Sequence, residues 1–179
     1  MEAGVIPEFR GEYYFLSNYY TAPFIWRGIE FKSAEQAFAY AKTFFAIDDK
    51  PRDYEGDFVS EGEYFQSHIL KAETPGEAKK LGRQVKIQVA EWDARKIMYM
   101  REIVHAKFMT GEGNLVGKLI NTGAKMLVEG NTWNDRFWGR CLDKDTGKMV
   151  GLNALGVILM EERGFWRSQS VCVECKRVV

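Results

Sequence analysis

No stretch of the 179-residue chain approaches the roughly 18 unbroken apolar residues of a membrane span. The opening MEAGVIPEFR has neither the basic nor the apolar segment of a secretion signal. A cytoplasmic protein with no membrane partner is expected. Cysteine is scarce: Cys141, Cys172 and Cys175 make an odd set of three, which argues against a disulfide framework and predicts free thiols. Cys172 and Cys175 have half of a zinc site's spacing, but only Cys141, His68 and His105 remain as partners and there is no second pair, so no metal is expected. Charge of one sign is also missing. Lys plus Arg equals Asp plus Glu at 25 each, which disfavours a general binder of nucleic-acid backbone. The patterns G-x-x-x-x-G-K-[ST], G-x-G-x-x-G and G-x-S-x-G do not occur, so nucleotide kinases, Rossmann enzymes and serine hydrolases are disfavoured.

What is present is a globular composition: 46% hydrophobic and 14% aromatic content is enough to bury a core in one domain. Residues 1 to 63 hold 12 acidic and 6 basic side chains, so the remainder carries the balancing positive charge and favours an anionic small ligand there.

Along the chain, residues 9 to 31 are aromatic and β-branched, punctuated by Gly11, Pro23 and Gly28, and predict a small hairpin or sheet. FKSAEQAFAYAK then opens a helix at Ser33, with Gln36 as the reciprocal partner of a capping box and Ala34, Ala37, Phe38, Ala41 and Phe45 as its inward face. The acidic stretch around Pro51 and Gly56 reads as a surface loop leading to a weak helix near 63 to 72. Thr74, Pro75 and Glu77 start another helix with a second capping box. A long central helix follows, with Trp92, Ile97, Met100, Val104 and Phe108 inside. NLVGKLINTG predicts a helix ended by Gly123, KMLVEG a short strand, and GLNALGVILMEERG a final helix stopped at Gly164. The expected architecture is mainly α: a compact helical domain over residues 1 to 167 with a small N-terminal β-hairpin or sheet. Residues 168 to 179 form a tail with no place in the core.

Glu35 is not needed to cap its helix. In the first turn it faces the positive end of the macrodipole, which favours the carboxylate anion. Such a group suits a nucleophile, a base for water or a stabiliser of developing positive charge; the other reading is an acid placed only for the dipole. Lys42, seven positions on, sits about 10 Å along the axis and about 20° round it, so both side chains can border one pocket without pairing. The alternative for Lys42 is a solvated face. In LVEGNTWNDRFWGR, Trp133 and Trp138 are core or ligand platform, Asp135 beside Asn134 is a turn former or a functional acid, and Gly139 permits close approach to the backbone. His105 reads as structural.

Taken together and in order, YYFLSNYY, FKSAEQAFAYAK, TPGEAKKLGRQV, EWDARKIMYMREIVHAKF, LINTGAKMLVEG, NDRFWGR and GLNALGVILMEER resemble the YbiA-like or NADAR (NAD and ADP-ribose associated) family, from about Phe9 to about Arg163. The resemblance implies a mostly helical fold and N-glycosidase activity, cleaving the bond between a ribose-derived group and a nitrogenous base or amine, with no cofactor. Implied substrates are phosphorylated early riboflavin-pathway intermediates or ADP-ribosylated guanine, free or on a nucleic acid. It places the catalytic glutamate at Glu35, a second carboxylate or ribose ligand at Asp135, and substrate contacts at Asn18, Lys42, Trp92, Trp138, Gly139 and Asn153, all lining one pocket. Two departures stand out: family members usually carry histidine where this chain has Gln36, and residues 139 to 153 are less glycine-rich than in many relatives. The competing reading is a non-catalytic module that binds ADP-ribose or a related nucleotide; a helical partner-binding protein is a third.

Overall fold

Alternation of burial along Thr21–Trp26 and Ile29–Ser33 makes these segments pair as an antiparallel hairpin, with Ala22, Phe24, Trp26, Phe31 and Ser33 facing in. The turn between them is Arg27-Gly28, both at positive φ (52° and 78°), the backbone that a two-residue hairpin requires. The computed structural model describes residues 4–48, 52–54 and 56–175. Its elements in order are β1 (Val5–Ile6), a 3-10 turn (Gly11–Leu16), β2 (Thr21–Trp26), β3 (Ile29–Ser33), α1 (Ala34–Lys42), a 3-10 turn (Thr43–Phe45), β4 (Arg52–Tyr54), β5 (Asp57–Val59), α2 (Glu61–Lys71), α3 (Pro75–Gln84), α4 (Val89–Thr110), α5 (Leu115–Asn121), β6 (Met126–Leu127), β7 (Gly130–Asn131), β8 (Arg140–Leu142), β9 (Met149–Val150) and α6 (Ala154–Cys175). Helix dominates, with small sheets, so the fold is mainly α as expected. No helix among the described residues is long and apolar enough to cross a membrane.

The contacts divide the chain into two compact units, one formed by Asn18–Glu112 and the other by residues up to Ser17 together with those from Gly113 onward. In the first, α1 is the centre. Ala34, Ala37 and Ala41 are completely buried, and with Phe24, Trp26, Phe31, Tyr40, Phe45, Phe65, Ile69, Trp92, Tyr99 and Ile103 they form the core. Ser33 caps α1 as expected, its Oγ accepting from Gln36 N at 3.2 Å. The expected reciprocal bond is not made to Ser33. Gln36 Oε1 instead accepts from Lys32 N at 2.7 Å, while Nε2 donates to Ile69 O at 2.8 Å and so ties α1 to the end of α2. Glu77 behaves likewise, accepting from Glu73 N at 2.9 Å while Thr74 Oγ1 accepts from Glu77 N at 3.1 Å.

The helix expected as weak is better specified than its sequence suggests. Ser60 and Glu63 form a complete capping box at its start, two residues before the expected one, and the acidic stretch contains the β4–β5 hairpin. Part of that stretch, residues 49–51 and 55, lies outside the described residues. In α4 the phase differs at one expected core position: Ile97 is exposed, and Tyr99, Ile103 and Lys107 are buried alongside Trp92, Met100, Val104 and Phe108. A helix of six turns with buried residues on more than one side has no single apolar stripe, which is why the spacing misplaced Ile97.

In the second unit the strands are two or three residues long: β1 pairs in parallel with β6, and β7, β8 and β9 form a three-stranded sheet. Gly123 ends α5 at φ 65°, as expected. The final helix does not stop at Gly164. It continues to Cys175, and the segment expected as a loose tail is helical over 168–175. Gly164 lies exposed within a 22-residue helix, where the glycine penalty of about 1 kcal/mol is too small to end it.

Candidate functional site

The first turn of α1 positions Glu35. Its backbone N–H donates to the Asn18 carbonyl at 2.9 Å, so the Asn18–Tyr20 segment runs alongside the turn. The Glu35 side chain is only 12% exposed, and its Oε1 lies 3.5 Å from Lys79 Nζ of α3, whose side chain is 34% exposed. The same ammonium sits 5.2 Å from the centroid of the Tyr19 ring. A helix N-terminus and a neighbouring cation each favour a negatively charged group at this position.

Lys79 reaches Glu35 because α3 packs closely on α1. A Cβ added at Gly82 would stand 3.0 Å from Ala39 Cβ and 3.3 Å from its Cα, so the two helices meet where neither has a bulky side chain. Glu35 meets Lys79, Ala39 meets Gly82, and Lys42 Nζ donates to Gly82 O at 2.9 Å, so the helices run with the same polarity. Lys42 therefore sits at the carbonyl end of α3 as well as of its own helix, where a cation is favoured. Burial first, and then the neighbouring Arg83 charge, hold its pKa below the usual lysine value. It is neither a freely solvated lysine nor paired with Glu35.

Of the other expected substrate contacts in this unit, Asn18 is half-buried, with Nδ2 3.6 Å from Met100 Sδ. Trp92 is 7% exposed and packed against Phe38 (5.0 Å), Phe45 (5.6 Å) and Tyr99 (6.2 Å, stacked), so it is a core ring that offers little surface for stacking. Gln36 is buried and engaged at both ends of its amide.

In the second unit the expected residues form a loop scaffold. Asp135 Oδ1 accepts from Phe137 N (3.0 Å) and Trp138 N (2.9 Å), the turn-forming alternative, and Asn131 brackets the loop through Asp135 N and O. Gly139 is required by protein rather than ligand: a Cβ there would fall 2.1 Å from Glu129 O. Asn153, at φ 56°, accepts from Glu129 N at 3.0 Å and donates to Leu127 O at 2.8 Å, so both polar ends of the side chain bind main chain. Trp138 is half-buried with an edge-on contact to Phe137, and Trp133 is 59% exposed, so neither is the core residue that the local sequence pattern favoured. Cys141 is a buried free thiol; the Cys172 and Cys175 side chains lie outside the described ones.

Three residues were missed by the sequence reading. Lys79 and Tyr19 gave no local signal, because their placement depends on α3 lying along α1. Lys107 did leave one: it falls on the buried phase of α4 with Met100, Ile103 and Val104. It is 1% exposed, with Nζ 5.7 Å from the Tyr20 and Phe108 ring centroids. A lysine buried to that degree is rare and marks a candidate for function.

The mostly helical chain thus presents, at the start of a capped helix, a little-exposed glutamate beside a lysine that also faces a tyrosine ring, an arrangement able to take a polar ligand. The model of the NADAR domain matches residues 8–166, so the chain belongs to the NADAR family. Its structure is similar to the NMR structure of the E. coli protein YbiA, with a TM-score of 0.70 and 26% identity over 96% of this chain and 89% of that one. Curated proteins yield no match.

Proposed function

We propose that the protein is an N-glycosidase that hydrolyses the C–N bond between a phosphoribosyl or ADP-ribosyl group and a nitrogenous base or amine. Early riboflavin-pathway intermediates and ADP-ribosylated guanine are the substrate classes to try first. Breaking such a bond gathers positive charge on the ribose ring and leaves the bonding electron pair on the departing nitrogen. Glu35, anionic and little exposed, stabilises that cation and takes the proton of the attacking water.

The observation that carries this reading is the environment of Glu35. A residue present only to complement the dipole has no need of burial, whereas this carboxylate is largely withdrawn from solvent and lies beside Lys79, whose ammonium also faces the Tyr19 ring. Membership of the NADAR family supports a role connected with ADP-ribose or related glycosides. The experiment is incubation with a phosphorylated aminopyrimidine nucleotide and, separately, with ADP-ribosylated DNA, following release of base and sugar. Cleavage of either supports hydrolysis. Recovery of bound but intact ligand after long incubation supports a binding module instead.

A further inference from the structure

We infer that Arg140, in β8 of the second unit, is an anion-binding residue whose guanidinium takes a phosphate group of the ligand. The role deepens the proposed hydrolysis, whose substrates carry phosphate, and rests on that reading for the identity of the ligand. Three features of the structure point to it. Arg140 is only partly exposed, and its Nε is closed off from solvent with no hydrogen-bond partner. Among the described residues its guanidinium also makes no ion pair and no ring contact. Arginine stays charged at any ordinary pH, so a buried N–H of this group without an acceptor is a cost that a ligand can remove. Other arginines of this unit are engaged by protein: Arg136 pairs with Asp143 at 3.2 Å, and Arg163 donates to Thr122 Oγ1 at 2.8 Å and Lys125 O at 2.9 Å.

The second feature is the anchoring of the residue. Its N–H donates to Glu129 O at 3.0 Å and its carbonyl accepts from Asn131 Nδ2 at 3.1 Å, so the side chain starts from a fixed strand rather than a loose loop. The third is the character of its neighbours. Gly130 is its partner in β7, and a Cβ on Gly151 would stand 3.1 Å from Arg140 Cα, so glycine flanks it on both sides and neither flank offers a side chain to the guanidinium. Cys141 points to the opposite face and is buried, whereas Leu142, on the Arg140 face, is 60% exposed, which leaves that face open to a ligand. The planar fork of N–H groups matches the oxygens of a phosphate, the group that the proposed substrates present. The competing roles are a brace for the surrounding loops and a donor satisfied by bound water. A brace loses stability when truncated, but an arginine without a protein partner does not.

The test follows the Arg140 Nε–H signal by NMR in the full-length chain, assigned with Arg140→Gln, during titration with ribose 5-phosphate. Ribose, and sodium chloride at matched ionic strength, are the controls. Ribose 5-phosphate should move the signal saturably, and the controls should leave it in place. Read from backbone amide shifts, its affinity should fall about tenfold to a hundredfold in Arg140→Gln and less in Arg140→Lys, which keeps the charge but not the fork. Without ligand, Arg140→Gln should melt no lower than its parent. A signal that ribose 5-phosphate leaves unmoved, an affinity unchanged in Arg140→Gln, or a marked fall in Tm overturns the proposal. Ribose 5-phosphate has no C–N glycosidic bond, so the titration judges Arg140 even if the proposed hydrolysis fails. Substrate cleavage with an unmoved Arg140 signal would sink the role of Arg140 alone.

Discussion

Replacing Gln36 with leucine asks whether this residue, next in sequence to Glu35, serves structure or chemistry. Leucine has nearly the same volume but no polar atoms. The substitution removes the acceptor of Lys32 N (2.7 Å) and the donor to Ile69 O (2.8 Å). Ile69 O keeps the bond from Ala72 N at 3.2 Å, so the main casualty is the Lys32 N–H. An orphaned buried donor costs about 1 to 3 kcal/mol and a lost bond about 0.5 to 1.5 kcal/mol. The added apolar surface of leucine returns about 1 kcal/mol. The net expectation is a loss of about 2 kcal/mol, or about 4 to 8 °C in Tm for a chain of this size. Thermal and urea unfolding measure it, with turnover assayed below the transition. A Gln36→Leu protein as stable as its parent but inactive would refute the structural assignment and return Gln36 to the reaction.

Gly139→Ala should disrupt the loop that carries Trp138, costing about 3 kcal/mol or more, because the new methyl falls 2.1 Å from Glu129 O and backbone must move; unfolding curves with parental stability would contradict this close approach. Lys42 titrates below its ordinary value of 10.5. Between its lowered pKa and 10.5 the unfolded state binds more protons than the folded state, so this residue makes stability rise with pH through that window. Denaturant midpoints measured across it should therefore rise less in Lys42→Met than in the parent, and identical slopes would rule out the burial effect.

Much of the fold was legible because its cues are local. Ser33 and Thr74 begin helices since a hydroxyl three residues ahead of a free N–H needs no tertiary context. The end of α6 was not legible: glycine signals a stop only when the following residues cannot continue the helix, and those after Gly164 do. Pairings such as β1 with β6 span some hundred and twenty positions with two residues on each side, too little pattern to read from a sequence. At the candidate site, Glu35 was visible as an acid surplus to its cap. Asn153 and Gly139 were recognised as special by motif, but the reason for their presence, close main-chain packing around Glu129, depends on tertiary contacts. Lys79 enters only through the approach of α3 to α1.

The central claim is that the Glu35 carboxylate performs the bond cleavage, and single-turnover hydrolysis by Glu35→Gln tests it most directly. Glutamine keeps the size and reach of glutamate, and Ser33 still caps the helix, so stability should change by no more than about 1 kcal/mol. Without the charge that meets the cationic transition state, the chemical step should slow by about a hundredfold or more while ligand affinity is largely kept. Cleavage by Glu35→Gln at the parental rate would contradict the account, remove Glu35 from the mechanism and reopen Asp135 as the catalytic carboxylate.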